Sequence, residues 1–141
     1  AQIDLHLLKR EHQRVTVKLL GDYVRGWNET DREFIPRMPP MRLGARVEAE
    51  LGRFNGGIEL RHAFDQNRVR TGLRPELATE AYTLLNADLT CQLHKSERYE
   101  VSLTFQGTNL LDAEARQATS FRKDVAPMPG RGFSVGMQVR F

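Results

Sequence analysis

Seven stretches of this chain alternate apolar and polar side chains residue by residue. A period of two fits a strand with one face buried and does not fit a helix. The clearest run is the last, where Phe133, Val135, Met137, Val139 and Phe141 alternate with Ser134, Gly136, Gln138 and Arg140. Tyr99, Val101, Leu103 and Phe105 form a second run, and Leu85, Ala87, Leu89, Cys91 and Leu93 a third. Leu43, Ala45, Val47, Ala49 and Leu51 form another, followed by Ile58, Leu60 and Phe64 on one face, with His62 intruding on it. Val15, Val17, Leu19 and Tyr23 precede these, and Ile3, Leu5 and Leu7 open the series. The pattern predicts an all-β, antiparallel fold. Helical signals are slight: one or two helical turns are expected at 110–118 and another short turn at 76–81.

The connections between runs add a second constraint. Short turns are expected at 9–13, 52–56 and 94–98, and long loops at 26–40, 65–81 and 108–132. Short and long therefore alternate strictly, so every long loop leaves from the same end of the sheet. Outer-membrane barrels have this asymmetry, with short periplasmic turns and longer external loops. Loops beyond about 12–15 residues are uncommon in compact domains and are usually functional.

The polar face carries Asp4, Lys18, Asp22, Arg46, Glu48, Glu50, Glu59, Arg61, Asp88, Glu100 and Arg140. Enclosing so many ions in a dry core costs several kcal/mol each unless they are well paired. A wide barrel with hydrocarbon outside and water inside meets that demand. Tyr23, Tyr82, Tyr99, Phe133 and Phe141 fall near strand ends, where interfacial aromatic girdles lie. No apolar run approaches the roughly 20 residues of a membrane-spanning helix. With 21 basic and 18 acidic residues spread along the chain, the charge gives no case for nucleic acid. The single cysteine, Cys91, excludes an internal disulfide framework. Seven strands is an odd number, whereas bacterial barrels are even and closed. The reading is therefore about seven strands of a larger transmembrane barrel. Two rivals are a self-contained small barrel of eight strands, acting as an adhesin or structural protein, and a soluble antiparallel ligand-binding domain. The first needs residues 3–7 to pair with 133–141. The second needs the apolar face packed upon itself.

The C-terminal third also carries a family likeness. It runs through Gly107, Thr108, Asn109, Leu110, Leu111 and Asp112, then Ala115 and Arg116. It continues through Thr119, Ser120, Phe121, Arg122, Lys123, Asp124, Val125, Ala126, Pro127, Met128, Pro129, Gly130 and Arg131 to the final strand. This stretch resembles the tail of TonB-dependent outer-membrane receptors, most closely the branch that takes up zinc and other metals or metal chelates. The segment from Ile35, Pro36 and Arg37 through Pro39, Pro40 and Arg42 to Gly44 is similar to the same branch, as is Tyr82 to Leu89. The resemblance implies that residues 1–141 are the C-terminal part of a barrel of about 22 strands, with the plug domain and early strands outside them. It implies uptake of a metal ion or metal chelate of siderophore or zinc type, driven by the TonB complex. It implies residence in the outer membrane of a Gram-negative bacterium.

Three sets of residues stand out as sites. Phe133, Val135, Met137, Val139 and Phe141 match the terminal signal that the resemblance implies is read by the barrel-assembly machinery. Asn109, Asp112, Arg116, Ser120, Phe121, Lys123, Asp124, Pro127, Pro129, Gly130 and Arg131 form the family-like external loop. Arg68, Arg70 and Arg74 are a candidate set for steering an anionic chelate, set against the plainer and favoured reading of a solvated charged loop. His6, His12, His62 and His94 are scattered, and no metal site is expected from them. Trp27 reads as an interfacial anchor. No nucleophile–base pair or phosphate loop supports an enzyme, and no cofactor is expected.

Overall fold

The computed structural model describes residues 1–10, 13–72 and 75–141. Its strands are β1 (Gln2–Arg10), β2 (Gln13–Asp22), β3 (Trp27–Asn28), β4 (Glu33–Phe34), β5 (Arg42–Leu51), β6 (Phe54–Ala63), β7 (Tyr82–Lys95), β8 (Glu100–Thr108) and β9 (Gly132–Arg140). Seven of them form one antiparallel sheet in the order β1-β2-β5-β6-β7-β8-β9, and β3 pairs with β4 in a small separate hairpin. Each strand of the large sheet lies beside its sequence neighbour in that sheet. The long connections 23–41, 64–81 and 109–131 all leave one end, as the alternation of loop lengths requires. They are called L1, L2 and L3 below.

Register keeps the two faces apart. Val15, Ala49, Gly56, Leu89, Phe105 and Val135 lie in one row across the sheet, and Thr16, Glu48, Gly57, Asp88, Gln106 and Ser134 in the next. Successive residues of a strand face opposite sides, so the first row is apolar and the second polar. Bulges correct the pattern where it would slip. One at Leu7 moves Leu8 opposite Val15 and Lys9 opposite Arg14. Another, at Leu93, turns His94 to the apolar side opposite Val101, where it stacks on Tyr99 at 4.8 Å.

The turn between β5 and β6 is Gly52–Arg53 alone, and Gly56, expected in the turn, lies inside β6. Gly52 has φ +59°. Glycine at the first central position is the type II′ arrangement that suits the twist of flanking strands. The expected helical turns at 110–118 and 76–81 do not form. Asn109 and Asp112 take left-handed backbone angles of φ 47° and 55°, which breaks helical progression. Thr79 is instead drawn into an extended bridge with Gln66.

β1 and β9 are the two edges of the sheet and do not pair with each other. The closure expected of an eight-stranded barrel is therefore not made. Nor does the apolar face pack on itself: the buried apolar residues among those described are Ala63, Ala115 and Ala118. Ile58, Leu60, Phe133 and Met137 remain 59%, 47%, 76% and 70% exposed. The packed core required by a soluble β-domain is not present among these residues.

Candidate functional site: a charged inner wall and three joined loops

The polar face is an array of ion pairs laid across strands. Lys18 Nζ on β2 lies 2.7 Å from Glu48 on β5. Arg46 Nε donates to Glu48 Oε1 at 2.9 Å, and its Nη2 reaches Asp88 on β7 at 2.8 Å. Arg42 grips Asp22 through Nε and Nη2 at 2.9–3.0 Å. Arg61 meets Glu59 at 3.1 Å, and Gln92 donates to Glu100 at 2.7 Å. These side chains are half-buried by one another and keep access to water. Each pair therefore contributes little individually, about 1 kcal/mol or less. Their collective effect is to keep the charges on one face.

L3 is closed at its base by Asn109 and Asp112. The buried Asn109 donates through Nδ2 to the carbonyls of Ala113 at 3.0 Å and Pro129 at 3.2 Å. Its Oδ1 accepts from the Ala113 amide at 3.0 Å, and its own amide donates to Asn86 Oδ1 on β7 at 3.0 Å. Asp112 Oδ1 accepts the Arg131 amide at 2.9 Å. A Cβ added at Gly130 would stand 2.9 Å from that same oxygen, so a larger residue there would have to displace the Asp112 carboxylate. Asparagine tolerates the left-handed region that most residues avoid. We expect Asn109→Ala to weaken closure of the loop base by about 2–4 kcal/mol, summing lost hydrogen bonds and backbone strain. Asn109→Gly should lose only the hydrogen-bond part. Amide exchange at residues 110–113 of the native protein would separate the two.

The tip of L3 is turned inside out. Lys123 is buried, while Phe121 and Val125 on either side of it are 81% and 79% exposed. Lys123 Nζ donates to Glu76 Oε1 of L2 at 2.8 Å and to the Leu77 carbonyl. The Glu76 carboxylate accepts the Arg37 amide of L1 with both oxygens at 3.1 Å. Arg116 Nη1 donates to the Lys123 carbonyl at 2.7 Å. Gln66 of L2 adds a bond to the Met38 carbonyl of L1 at 2.9 Å. Three loops from three hairpins thus meet at one buried ion pair.

The remaining singled-out residues fall in different places. Ser120 Oγ accepts the Arg122 amide at 3.1 Å within L3, and Asp124, Pro127 and Pro129 lie on its exposed surface. Arg70 is paired with Glu33 of L1 at 2.7 Å. Arg68 donates to the Tyr23 hydroxyl and sits 5.0 Å from its ring centroid. Arg74 and His12 lie outside the described residues. The arginines of L2 are therefore not brought into one open cationic cluster among the described residues. His62, on the apolar face as expected, bonds to Thr83 Oγ1 at 2.8 Å and meets Phe64 edge-on at 4.6 Å. Trp27 meets Phe34 edge-on at 5.0 Å across the small hairpin. Phe133, Val135, Met137 and Val139 all face the apolar side of β9, and Phe141 follows its end. A depression of about 580 Å³ beside Ala49, Gly56 and Ala87 opens on the apolar face, away from the joined loop tips. Sequence reasoning missed Glu76 as the partner of Lys123 and as the acceptor of the Arg37 amide. A lysine flanked at two residues by Phe121 and Val125 in a polar loop was the available signal.

An antiparallel meander with an apolar outer face, a charged inner face and all long loops at one end has the fold of a segment of outer-membrane barrel wall. A solved chain named copper transporter OprC shares this fold: TM-score 0.73, 18% identity, covering 98% of this chain and 21% of that one. The chain thus spans about a fifth of the length of the structure it resembles. No protein-family model matches the sequence, and no curated protein does.

Proposed function

We propose that residues 1–141 are the C-terminal wall and external loops of a TonB-dependent outer-membrane receptor for a metal ion or metal chelate. The observation that carries this reading is the meander itself, seven strands with every long loop at one end, superposing over nearly its whole length on part of a metal transporter. In this reading the apolar face meets outer-membrane lipid and the ion-paired face lines the lumen opposite the plug domain. L1–L3 form part of the external vestibule. The final strand serves as the signal for the barrel-assembly machinery, and the TonB complex acts through the plug.

The test is the mass and location of the native protein, detected with an antibody against residues 119–130. A heat-modifiable outer-membrane protein several times heavier than 16.2 kDa is the expected result. A species near that mass, or one that is soluble without detergent, would overturn the reading.

A further inference from the structure

We infer that the short-turn end of the sheet binds the headgroups of anionic phospholipids through Arg53, Lys95 and Arg98; the inference goes beyond the uptake reading and rests on its statement that the apolar face meets membrane lipid. The short turns and strand ends at 9–14, 50–53 and 94–100, together with Arg140, carry seven basic and four acidic residues. The remainder of the chain carries fourteen of each, so the whole net charge of +3 sits at this end. L1, L2 and L3, at the other end, are nearly balanced, with ten basic residues and nine acidic. The meander brings these separated segments side by side. β5 and β6 turn at Gly52–Arg53, β7 and β8 turn between Lys95 and Glu100, and β9 ends with Arg140 opposite Glu100. The Gln92 amide donates to the Arg53 carbonyl at 2.8 Å, which ties the first of these turns to the strand that leads into the second.

Arg53, Lys95 and Arg98 are exposed and form no ion pair among the described residues. The carboxylates near them answer them poorly. Glu50 lies 3.8 Å from Arg14, with both side chains half in water, and Glu100 accepts from Gln92. Beside the cations the apolar face stays exposed to its last row. Leu51 and Phe54 stand opposite each other at the turn of Arg53, and Tyr99 closes the next turn with His94 stacked on it. Aromatic rings at this height match the level of lipid headgroups. A phospholipid therefore finds a surface for its acyl chains and donors for its phosphate on one continuous patch. Guanidinium and ammonium groups give charge-assisted hydrogen bonds to phosphate oxygens. Uncompensated cations at a lipid surface favour headgroups of net negative charge, whereas a zwitterionic headgroup brings a cation of its own. An anionic cell-wall polymer would use the cations and leave the adjoining apolar row uncovered.

The test uses the native protein purified in detergent, with a fluorescent phosphatidylglycerol bound in mixed micelles. Unlabelled phosphatidylglycerol, cardiolipin and phosphatidylethanolamine of the same acyl chains compete for it, and soluble peptidoglycan fragments serve as an anionic probe without lipid. Phosphatidylglycerol and cardiolipin are expected to compete about ten-fold better than phosphatidylethanolamine, with the preference shrinking as salt rises. The triple variant Arg53→Gln, Lys95→Gln, Arg98→Gln should weaken anionic lipid roughly 10- to 100-fold, and each single variant about five-fold. The single variants decide the matter if the triple variant does not insert. Arg98→Lys should keep most of the affinity, since charge rather than a fixed geometry is at work. Arg25→Gln, in L1 at the other end, should change nothing. The inference is overturned if phosphatidylethanolamine competes as well as phosphatidylglycerol, if the variants bind as the native protein does, or if peptidoglycan fragments alone compete. An outer-membrane protein without lipid preference would sink this inference and leave the uptake reading standing. A protein soluble without detergent would sink the uptake reading itself.

Discussion

Replacing Lys123 by methionine should release the three loops L1, L2 and L3 at once while leaving the strands paired. The Lys123 side chain is 3% exposed and that of Glu76 11%, so the variant strands a carboxylate in a buried place. Removing one partner of a buried pair costs about 3–5 kcal/mol. That exceeds what a surface loop cluster of this kind holds in reserve, because its other ties are the part-exposed Arg70–Glu33 pair and single hydrogen bonds, each worth about 1 kcal/mol. The nearest of these ties are the Arg116 bond to the Lys123 carbonyl and the Gln66 bond to the Met38 carbonyl. Amide exchange in the native protein should therefore rise together in 37–41, 76–79 and 116–126. Exchange in β5–β8 should stay slow.

The double variant Lys123→Met, Glu76→Gln distinguishes a latch from a generally fragile loop. With the charge removed from both sides, the stranded ion is gone. The side-chain carbonyl left by Glu76→Gln can still accept the Arg37 amide. Protection should recover well beyond the level of Lys123→Met alone, giving a coupling energy of about 2 kcal/mol or more, since residues in one buried network are non-additive. Strict additivity, or release of L3 alone, would show that the three loops are held independently.

The sheet is legible in the sequence because its signals are local. Period-two alternation specifies a strand and its faces, and loop lengths specify which end each connection leaves. Even the intruding His62 is placed correctly by counting from Leu60. Register within the sheet is less legible, since the bulges at Leu7 and Leu93 replace one residue per partner by two. The loop cluster is the least legible part. Glu76 and Lys123 are 47 residues apart, and nothing local marks them as partners. Arg70 is a second case: its neighbours in sequence are Arg68 and Arg74, but its partner is Glu33 of another loop. Residues 110–118 suggest short helical turns because Leu, Ala, Glu and Arg favour helices. The tertiary hydrogen bonds of Asn109 override that preference.

Gly56→Ala should destabilise the folded wall more than Gly57→Ala, and Gly136→Ala should not destabilise it at all. The order follows from what each new methyl group meets. At Gly56 a Cβ would lie 2.4 Å from the Asp88 carbonyl oxygen and 3.1 Å from Leu89 Cα, both backbone atoms of β7. Relief requires β6 and β7 to part, in the middle of the sheet. At Gly57 the nearest atoms are the Arg46 Nη2 and Cζ at 2.7 and 2.8 Å, with the Val47 carbonyl at 3.0 Å. Here the side chain of Arg46 can retreat, but the gap over Gly57 is its route from β5 across β6 to Asp88 on β7. Gly57→Ala therefore severs the Arg46–Asp88 pair; Arg46 keeps Glu48, and the freed Asp88 carboxylate retains access to water. Overpacking in a close-fitting site costs about 1–3 kcal/mol, with Gly56→Ala at or above the upper end. Loss of a half-exposed ion pair adds about 1 kcal/mol or less. At Gly136 nothing lies within 4 Å of the place a methyl group would take. Replacing glycine there narrows the unfolded ensemble and should stabilise by about 0.4–1 kcal/mol. Urea midpoints of the native protein refolded into detergent micelles would rank the three. Equal midpoints for Gly56→Ala and Gly136→Ala would mean that β6 and β7 are not as closely apposed as this sheet requires.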